Sequence, residues 1–335
     1  MLSRSLFRTA ARWCLRASAG TAAAASPAAA ALVPQAASWS PPSGQAGQLQ
    51  AHAPIRRGFA ALPPTDDGAP VGSGASTVVI SGGAPVACED GLTSDRWLGE
   101  MGRGAYTNAR TVGRHSIFEL DFHMERLAQS IKLMMTEGGG ELAGFASPEG
   151  VRGLLLPAVR QALLTHREDN PAYEGEIKLA FLVTWGASGG PGGAPLAHVH
   201  AAPLGAPALR PVKAMLAGAP RANAEAKDSG WVLERMELER SKPADVNELL
   251  LQDAGGAVLE GASSNFFAII SGTVYTAEEG VLHGSVRRAV LEACEEHGVP
   301  VVRSPPLASD ASDWDGALIT STARLALPLD ALVLP

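Results

Sequence analysis

Two periods organise the apolar positions of this chain. Short runs with strand character recur as "STVVISGG" (76–83), "YTNARTV" (106–112), "EIKLAFLVTW" (176–185) and "LAHVHAA" (196–202). They resume as "VKAMLAG" (212–218), "NELLLQD" (247–253), "AVLEG" (257–261), "NFFAII" (265–270) and "TVYTA" (273–277). Each is rich in β-branched, aromatic or leucine residues and bounded by Gly, Asn, Asp or Ser, which predicts strands. The links "DAGG" and "SG" suit hairpin turns, and Gly113 suits a hairpin joining 106–112 to "GRHSIFEL". The helical period takes over in 121–135, where Phe122, Leu127, Ile131 and Met134 share a face behind a capping Asp121. Ser147-Pro148 opens a second helix, which Pro157 is expected to kink. "GWVLERMELER" (230–240) reads as a third helix. A fourth is "SVRRAVLEACEEHG", whose Val286, Ala289, Val290 and Ala293 share a face ahead of a terminating Gly298. The pattern predicts an α+β protein with a meander in its second half.

Proline and glycine concentrate at 203–212, which predicts a boundary between a smaller domain over 66–203 and a larger one over 204–335. Residues 1–65 are a different population. They hold Arg4, Arg8, Arg12, Arg16, Arg56 and Arg57 and no acidic residue, and the first four arginines recur every fourth position. An acid-free, Ala- and Ser-rich segment with basic residues along one helix side reads as a disordered organelle transit peptide. "RRGFAAL" resembles a mitochondrial processing site, so a mitochondrial location is expected, with a plastid as the alternative.

Charge narrows the partners. The chain carries a net −7, which becomes −13 without those six arginines. An acidic body lacks the basic face that nucleic-acid binding requires. No window approaches 18 uninterrupted apolar residues, so no transmembrane helix is predicted. Cys88 and Cys294 are too far apart in sequence to suggest a disulfide framework or a zinc site. His198 and His200 share a strand face, yet no third or fourth ligand stands near them, so no metal is expected.

"LEGASSNFF" (259–267) sets a glutamate between an apolar strand and a Gly-Ala-Ser-Ser turn, an unusual place for a charge. With its surroundings, "NELLLQDAGGAVLEGASSNFFAII…TVYT…VLHGSVRR", it resembles the class IV aminotransferases, the fold-type IV pyridoxal-phosphate enzymes. That group includes branched-chain aminotransferases, D-amino-acid transaminases and aminodeoxychorismate lyases. The resemblance runs from about residue 100 to the C-terminus and is strongest to plant and algal members with "KxSxWV…R". It implies a two-domain fold, a smaller α/β sandwich before a larger β-rich pseudo-barrel. It also implies a homodimer, pyridoxal 5'-phosphate as cofactor, and small amino and oxo acids as substrates.

The resemblance assigns roles to particular residues. The cofactor is held as a Schiff base on a lysine, a bond that a guanidinium cannot make. The family's lysine falls on Lys227, one of only five lysines against 22 arginines. Lys242 is the alternative, although it precedes a proline and lies beside the "NELLL" strand. Asp228 and Ser229 could cap the helix that follows. Glu260 matches the anion that keeps the pyridine nitrogen protonated. Arg110 matches the phosphate arginine, Ser285 and Val286 the helix N-terminus at the phosphate, and Ser321 and Thr322 the last phosphate-contacting loop. His123 and Arg126 match the family's "H-x-x-R-L" helix and read as structural. Tyr106 and Trp231 replace residues common in relatives at the substrate pocket, so the substrate is left open. The implied activity is amino transfer from an amino acid to a 2-oxo acid. The alternatives are aminodeoxychorismate lyase and a cofactor-binding relative without turnover.

Overall fold

The computed structural model describes residues 52–54, 77–89, 91–135 and 144–334. The expected targeting segment therefore lies outside the described residues, apart from a short strand β1 (His52–Pro54).

The first half of the chain forms one antiparallel sheet. Its strands are β2 (Val78–Ser81), β3 (Ala84–Val86), β4 (Gly104–Val112), β5 (Ser116–Ile117), β6 (Ile177–Thr184) and β7 (Leu196–Pro203), in the order β3-β2-β7-β6-β4-β5. The hairpin from β4 to β5 turns at Gly113 and Arg114, both at positive φ. On one face lie α2 (Leu120–Met134) and α3 (Pro148–Asp169), preceded in the chain by the short α1 (Ser94–Glu100). Met124, Leu127 and Ile131 of α2 and Val151, Leu155 and Val159 of α3 pack on Ala109, Leu179, Phe181 and Val199. The opposite face carries Tyr106, Ala180 and Leu182 against Trp97 and Leu98. Both faces are covered, which is why "LAFLV" is continuously apolar rather than alternating. Ser147 caps α3 by accepting the Gly150 N–H at 3.0 Å, and the helix continues through Pro157 as one element.

The second half builds a ten-stranded sheet. It comprises β1, β8 (Lys213–Leu216), β9 (Glu248–Gln252), β10 (Val258–Gly261), β11 (Asn265–Ile270), β12 (Thr273–Tyr275), β13 (Val301–Val302), β14 (Gly316–Ser321), β15 (Leu325–Pro328) and β16 (Ala331–Val333). Strands β9 to β12 form the expected antiparallel meander. Its last turn, Ser271-Gly272, has both residues at positive φ, as a two-residue hairpin of matching twist requires. Helices α4 (Gly230–Arg240) and α5 (Ser285–Glu296) complete this half. Alternation along β11 divides its core. Phe267 and Ile269 meet Val290 and Cys294 of α5, while Phe266 and Ala268 meet Trp314 and Ile319.

The halves join where β4 has an open edge. Strand β5 pairs only with Thr111 and Val112, so the first residues of β4 have β6 on one side alone. Residues 227–229 take the other side. Tyr106 N–H donates to Lys227 O at 2.9 Å, Ser229 N–H to Gly104 O at 2.9 Å, and Gly104 N–H to Ser229 Oγ at 3.0 Å.

Gly261, at the end of β10, has no room for a side chain. A Cβ there would stand 2.2 Å from Ser264 Oγ and 3.0 Å from Glu248 Cγ, both buried. Gly261→Ala is expected to cost about 1–3 kcal/mol through overpacking, measured by denaturant unfolding. An unchanged midpoint would show that the turn relaxes freely.

Candidate active site

A cavity lies where the two halves meet. Strand β4 contributes Tyr106 and Asn108, α2 Arg126, β6 Lys178, and the 221–235 segment Arg221, Lys227, Trp231 and Arg235. The second sheet contributes Glu260 and the 261–265 turn, the N-terminus of α5, and residues 320–324. Six cationic side chains face it against two carboxylates, Asp95 and Glu260, so the cavity suits an anionic ligand.

Lys227 is fixed by its backbone. Besides the bonds to β4, its N–H donates to Ser130 Oγ of α2 at 3.0 Å. Its Nζ lies 4.6 Å from the centre of the buried Tyr106 ring. Burial holds the amine well below the ordinary lysine range, and Arg126, Arg221 and Arg235 push it the same way against the opposing pull of Glu260. An amine that is neutral near pH 7 can act as nucleophile or base. The capping expectation for the next helix is met in part. Asp228 Oδ1 accepts the Gly230 N–H at 2.8 Å, whereas the Ser229 hydroxyl is used by Gly104.

Glu260 lies opposite, buried, on β10. Its Oε1 accepts from Arg221 Nε at 2.7 Å, and its Oε2 accepts the Leu282 N–H at 3.0 Å. Burial raises its pKa, and Arg221 and the Leu282 N–H lower it. Asn265 secures the same turn, accepting the Gly284 N–H at 3.2 Å and donating to Leu282 O. A Cβ at Gly284 would meet Asn265 Oδ1 at 2.4 Å. The "E-G-x-x-x-N-F-F" spacing thus places two polar side chains that hold the start of α5 at the cavity.

At that start, Gly284 provides no side-chain cap, and Ser285 and Val286 line the cavity. Ser285 Oγ lies 3.2 Å from Thr322 Oγ1, and Ser321 completes the group. Uncapped N–H groups at a helix start favour an anion. Among the buried polar atoms on the cavity wall, Arg126 Nε, Asn108 Oδ1 and Thr320 Oγ1 have neither a hydrogen bond nor an ion-pair contact among the described residues. Arg126 donates to Thr107 Oγ1 but forms no ion pair among those residues, and burial pulls its guanidinium down to about 10.

The arginine on the cavity wall without an ion pair among the described residues is therefore Arg126, and Arg110 does not line it. Arg110 shares a β4 face with Tyr106 and Asn108, but it stands past the cavity and donates to Ala323 O at 3.2 Å. The other expected site residues, Tyr106, Lys227, Trp231, Glu260, Ser285, Val286, Ser321 and Thr322, all face the cavity. Lys242 does not; its amine donates to Val246 O. Lys178 does, and its place in β6 beside Ala180 and Leu182 could have been read from strand alternation. His198 is held by Ser81 and Thr184, and His200 by Ser94 and Leu92 O.

Residues 104–332, more than half of the chain, match the family described as amino-transferase class IV. The chain belongs to that family. A branched-chain-amino-acid aminotransferase of Pseudomonas aeruginosa is 29% identical over 106 residues, 31% of this chain and 34% of that protein. The chain spans about a third of the length of the curated relatives it matches. Among solved structures, a fold IV-transaminase from Curtobacterium pusillum superposes with a TM-score of 0.57 at 21% identity, covering 77% of this chain and 92% of the other. A hypothetical aminotransferase from Mycobacterium tuberculosis, in its PLP-bound form, gives 0.56 at 19% identity, covering 78% and 93%. At these identities the likeness is one of fold, and it fits the α+β arrangement with two sheets. Class IV aminotransferases are pyridoxal-phosphate enzymes that act on amino and oxo acids.

In this class IV member, Lys227 bears on stability as well as chemistry. The unfolded lysine titrates near about 10.4. The folded amine titrates well below that, so holding it protonated in the fold carries a cost. That cost is fully present below the folded pKa and vanishes as pH rises through the unfolded value. Lys227→Met is expected to raise the unfolding temperature of the cofactor-free protein at pH 7, by an amount that shrinks toward pH 10. A gap that stays constant with pH would mean the amine is charged in the fold.

Proposed function

We propose that this chain is a pyridoxal-phosphate-dependent aminotransferase that moves an amino group between an amino acid and a 2-oxo acid, with Lys227 as its reactive amine. The observation that carries this reading is a lysine amine held well below its ordinary range, in a cavity whose walls also carry a buried carboxylate and an uncapped helix start. The orphaned polar atoms fit the group. Arg126 Nε is a buried cationic donor with no counter-ion among the described residues, as a phosphate site would leave it.

The cofactor supplies an aldehyde that condenses with amines and a ring that draws electrons when its nitrogen is protonated. Everything else falls to the protein. The N–H groups of Ser285 and Val286, the hydroxyls of Ser321 and Thr322, and Arg126 would hold the phosphate. Glu260 would face the ring nitrogen. The Lys227 amine would hold the cofactor and serve as the base that moves a donor's Cα proton. Tyr106 gives that amine an apolar wall, its ring centre 4.6 Å away. Lys178 forms no ion pair among the described residues, and with Arg324 it suits a substrate carboxylate.

The finer reading is that of the plant and algal branch, resting on "KDSGWVLER" and "NELLL". A homodimer follows from the family resemblance, and mitochondrial delivery from the arginine-rich, acid-free start of the chain.

Borohydride reduction of the reconstituted protein, followed by peptide mapping, tests the assignment. The label is expected on Lys227, to persist in Lys178→Ala and to be lost in Lys227→Ala. A trapped adduct retained in Lys227→Ala would overturn it. Arg126→Ala is expected to weaken cofactor retention by about 10-fold or more, measured by dialysis and absorbance. A screen of amino donors and 2-oxo acids should interconvert the aldehyde and amine forms of the cofactor. Release of pyruvate from aminodeoxychorismate without that exchange would identify a lyase instead.

A further inference from the structure

Arg221 is a cavity residue that neither family pattern nor periodicity singled out. Its guanidinium is held from three sides. Nε and one terminal nitrogen both lie 2.7 Å from Glu260 Oε1, the terminal nitrogen also donates to Ala224 O at 2.7 Å, and the plane sits 5.4 Å from the Trp231 ring centre. Trp231 is fixed in turn, because its indole N–H donates to Ala262 O at 2.9 Å, two residues beyond Glu260. The Arg221 and Glu260 side chains are only 7% and 4% exposed, so this is a buried pair.

A carboxylate has about four acceptor positions. Arg221 Nε takes one on Oε1, with a terminal nitrogen in ion-pair contact beside it, and the Leu282 N–H takes one on Oε2, which leaves a position on Oε2 for a further donor. A carboxylate in so dry a place tends to take up a proton, and an adjacent guanidinium opposes this. We infer that Arg221 is a positioning residue that keeps Glu260 anionic inside the cavity, so that one proton shared between Glu260 and a bound pyridine ring rests on the ring nitrogen. This rests on the pyridoxal-phosphate reading of the cavity. The charges balance as a row: guanidinium, carboxylate, pyridinium. Without the first, the low-dielectric cavity favours the neutral alternative, a carboxylic acid donating to an uncharged ring, and the ring loses its pull on electrons. Trp231 serves the same end by stacking on the guanidinium, a role distinct from substrate contact.

The test compares wild type, Arg221→Lys and Arg221→Met in two states. In cofactor-free protein, infrared difference spectra against Glu260→Gln should show an ionised Glu260 at pH 7 in wild type and Arg221→Lys. In Arg221→Met they should show a protonated one, the titration having moved up by about one unit or more. In protein loaded with pyridoxal phosphate labelled with ¹⁵N in the ring, the nitrogen should resonate as protonated in the first two and as unprotonated in Arg221→Met. An ionised Glu260 in cofactor-free Arg221→Met overturns the inference, as does an unprotonated ring nitrogen in loaded wild type. Should Arg221→Met fail to fold, Arg221→Gln takes its place in both measurements with the same expected and overturning results. A wild type that takes up no cofactor sinks the pyridoxal-phosphate reading instead, while the infrared comparison still decides whether Arg221 holds Glu260 ionised.

Discussion

The open edge of β4 is the constraint on which the rest of the site depends. A half-paired strand carries N–H and C=O groups that must find partners when buried. Here residues 227–229 supply them, through Tyr106 N–H to Lys227 O and Ser229 N–H to Gly104 O. The same bonds that satisfy the sheet fix the backbone of the reactive lysine. Ser130 adds a third anchor from α2, so the lysine's position is set by the first half of the chain although the residue belongs to the second. Rigid elements place a reacting group more tightly than loops do, and this attachment gives a loop residue the precision of a strand.

Charge follows from the same placement. The cavity forms where two hydrophobic sheets meet, so every ion in it is poorly hydrated and must be paired or neutral. Arg235 is paired with Asp95 at 2.7 Å, Arg221 with Glu260, and Arg324 with the buried Glu248 beneath the wall. At Lys227 the same environment lowers the pKa of the amine instead. Arg126 and Lys178 form no ion pair among the described residues, which leaves both open to an anionic ligand. One physical rule thus sorts the cavity's basic groups into paired scaffold, reactive amine and ligand anchors.

Much of this was legible in the sequence, and what was not has physical reasons. The strands, the meander and the α5 start follow from local patterns that tertiary packing reinforces. Lys227 and Glu260 carry no local signature and were reached through resemblance. Arg110 was reached by resemblance to the family's phosphate arginine, and resemblance says nothing about where along a strand a cavity ends. Arg126 read as a structural member of the H-x-x-R-L helix, because its spacing alone does not show that its guanidinium meets a cavity. Only the fold shows that Arg126 of α2 reaches the cavity wall. Pro157 does not interrupt α3, which continues through it as one helix.

The lowered lysine pKa has a consequence for the life of the chain before its cofactor arrives. An ordinary lysine is protected from carbonyl compounds by its proton, and the environment of Lys227 weakens that protection. A newly folded chain therefore presents one amine that condenses with any small aldehyde able to enter the cavity. Loading with cofactor is then a form of chemical shelter as well as activation. Chains that wait long for it are the ones exposed to adventitious modification at the residue they can least spare.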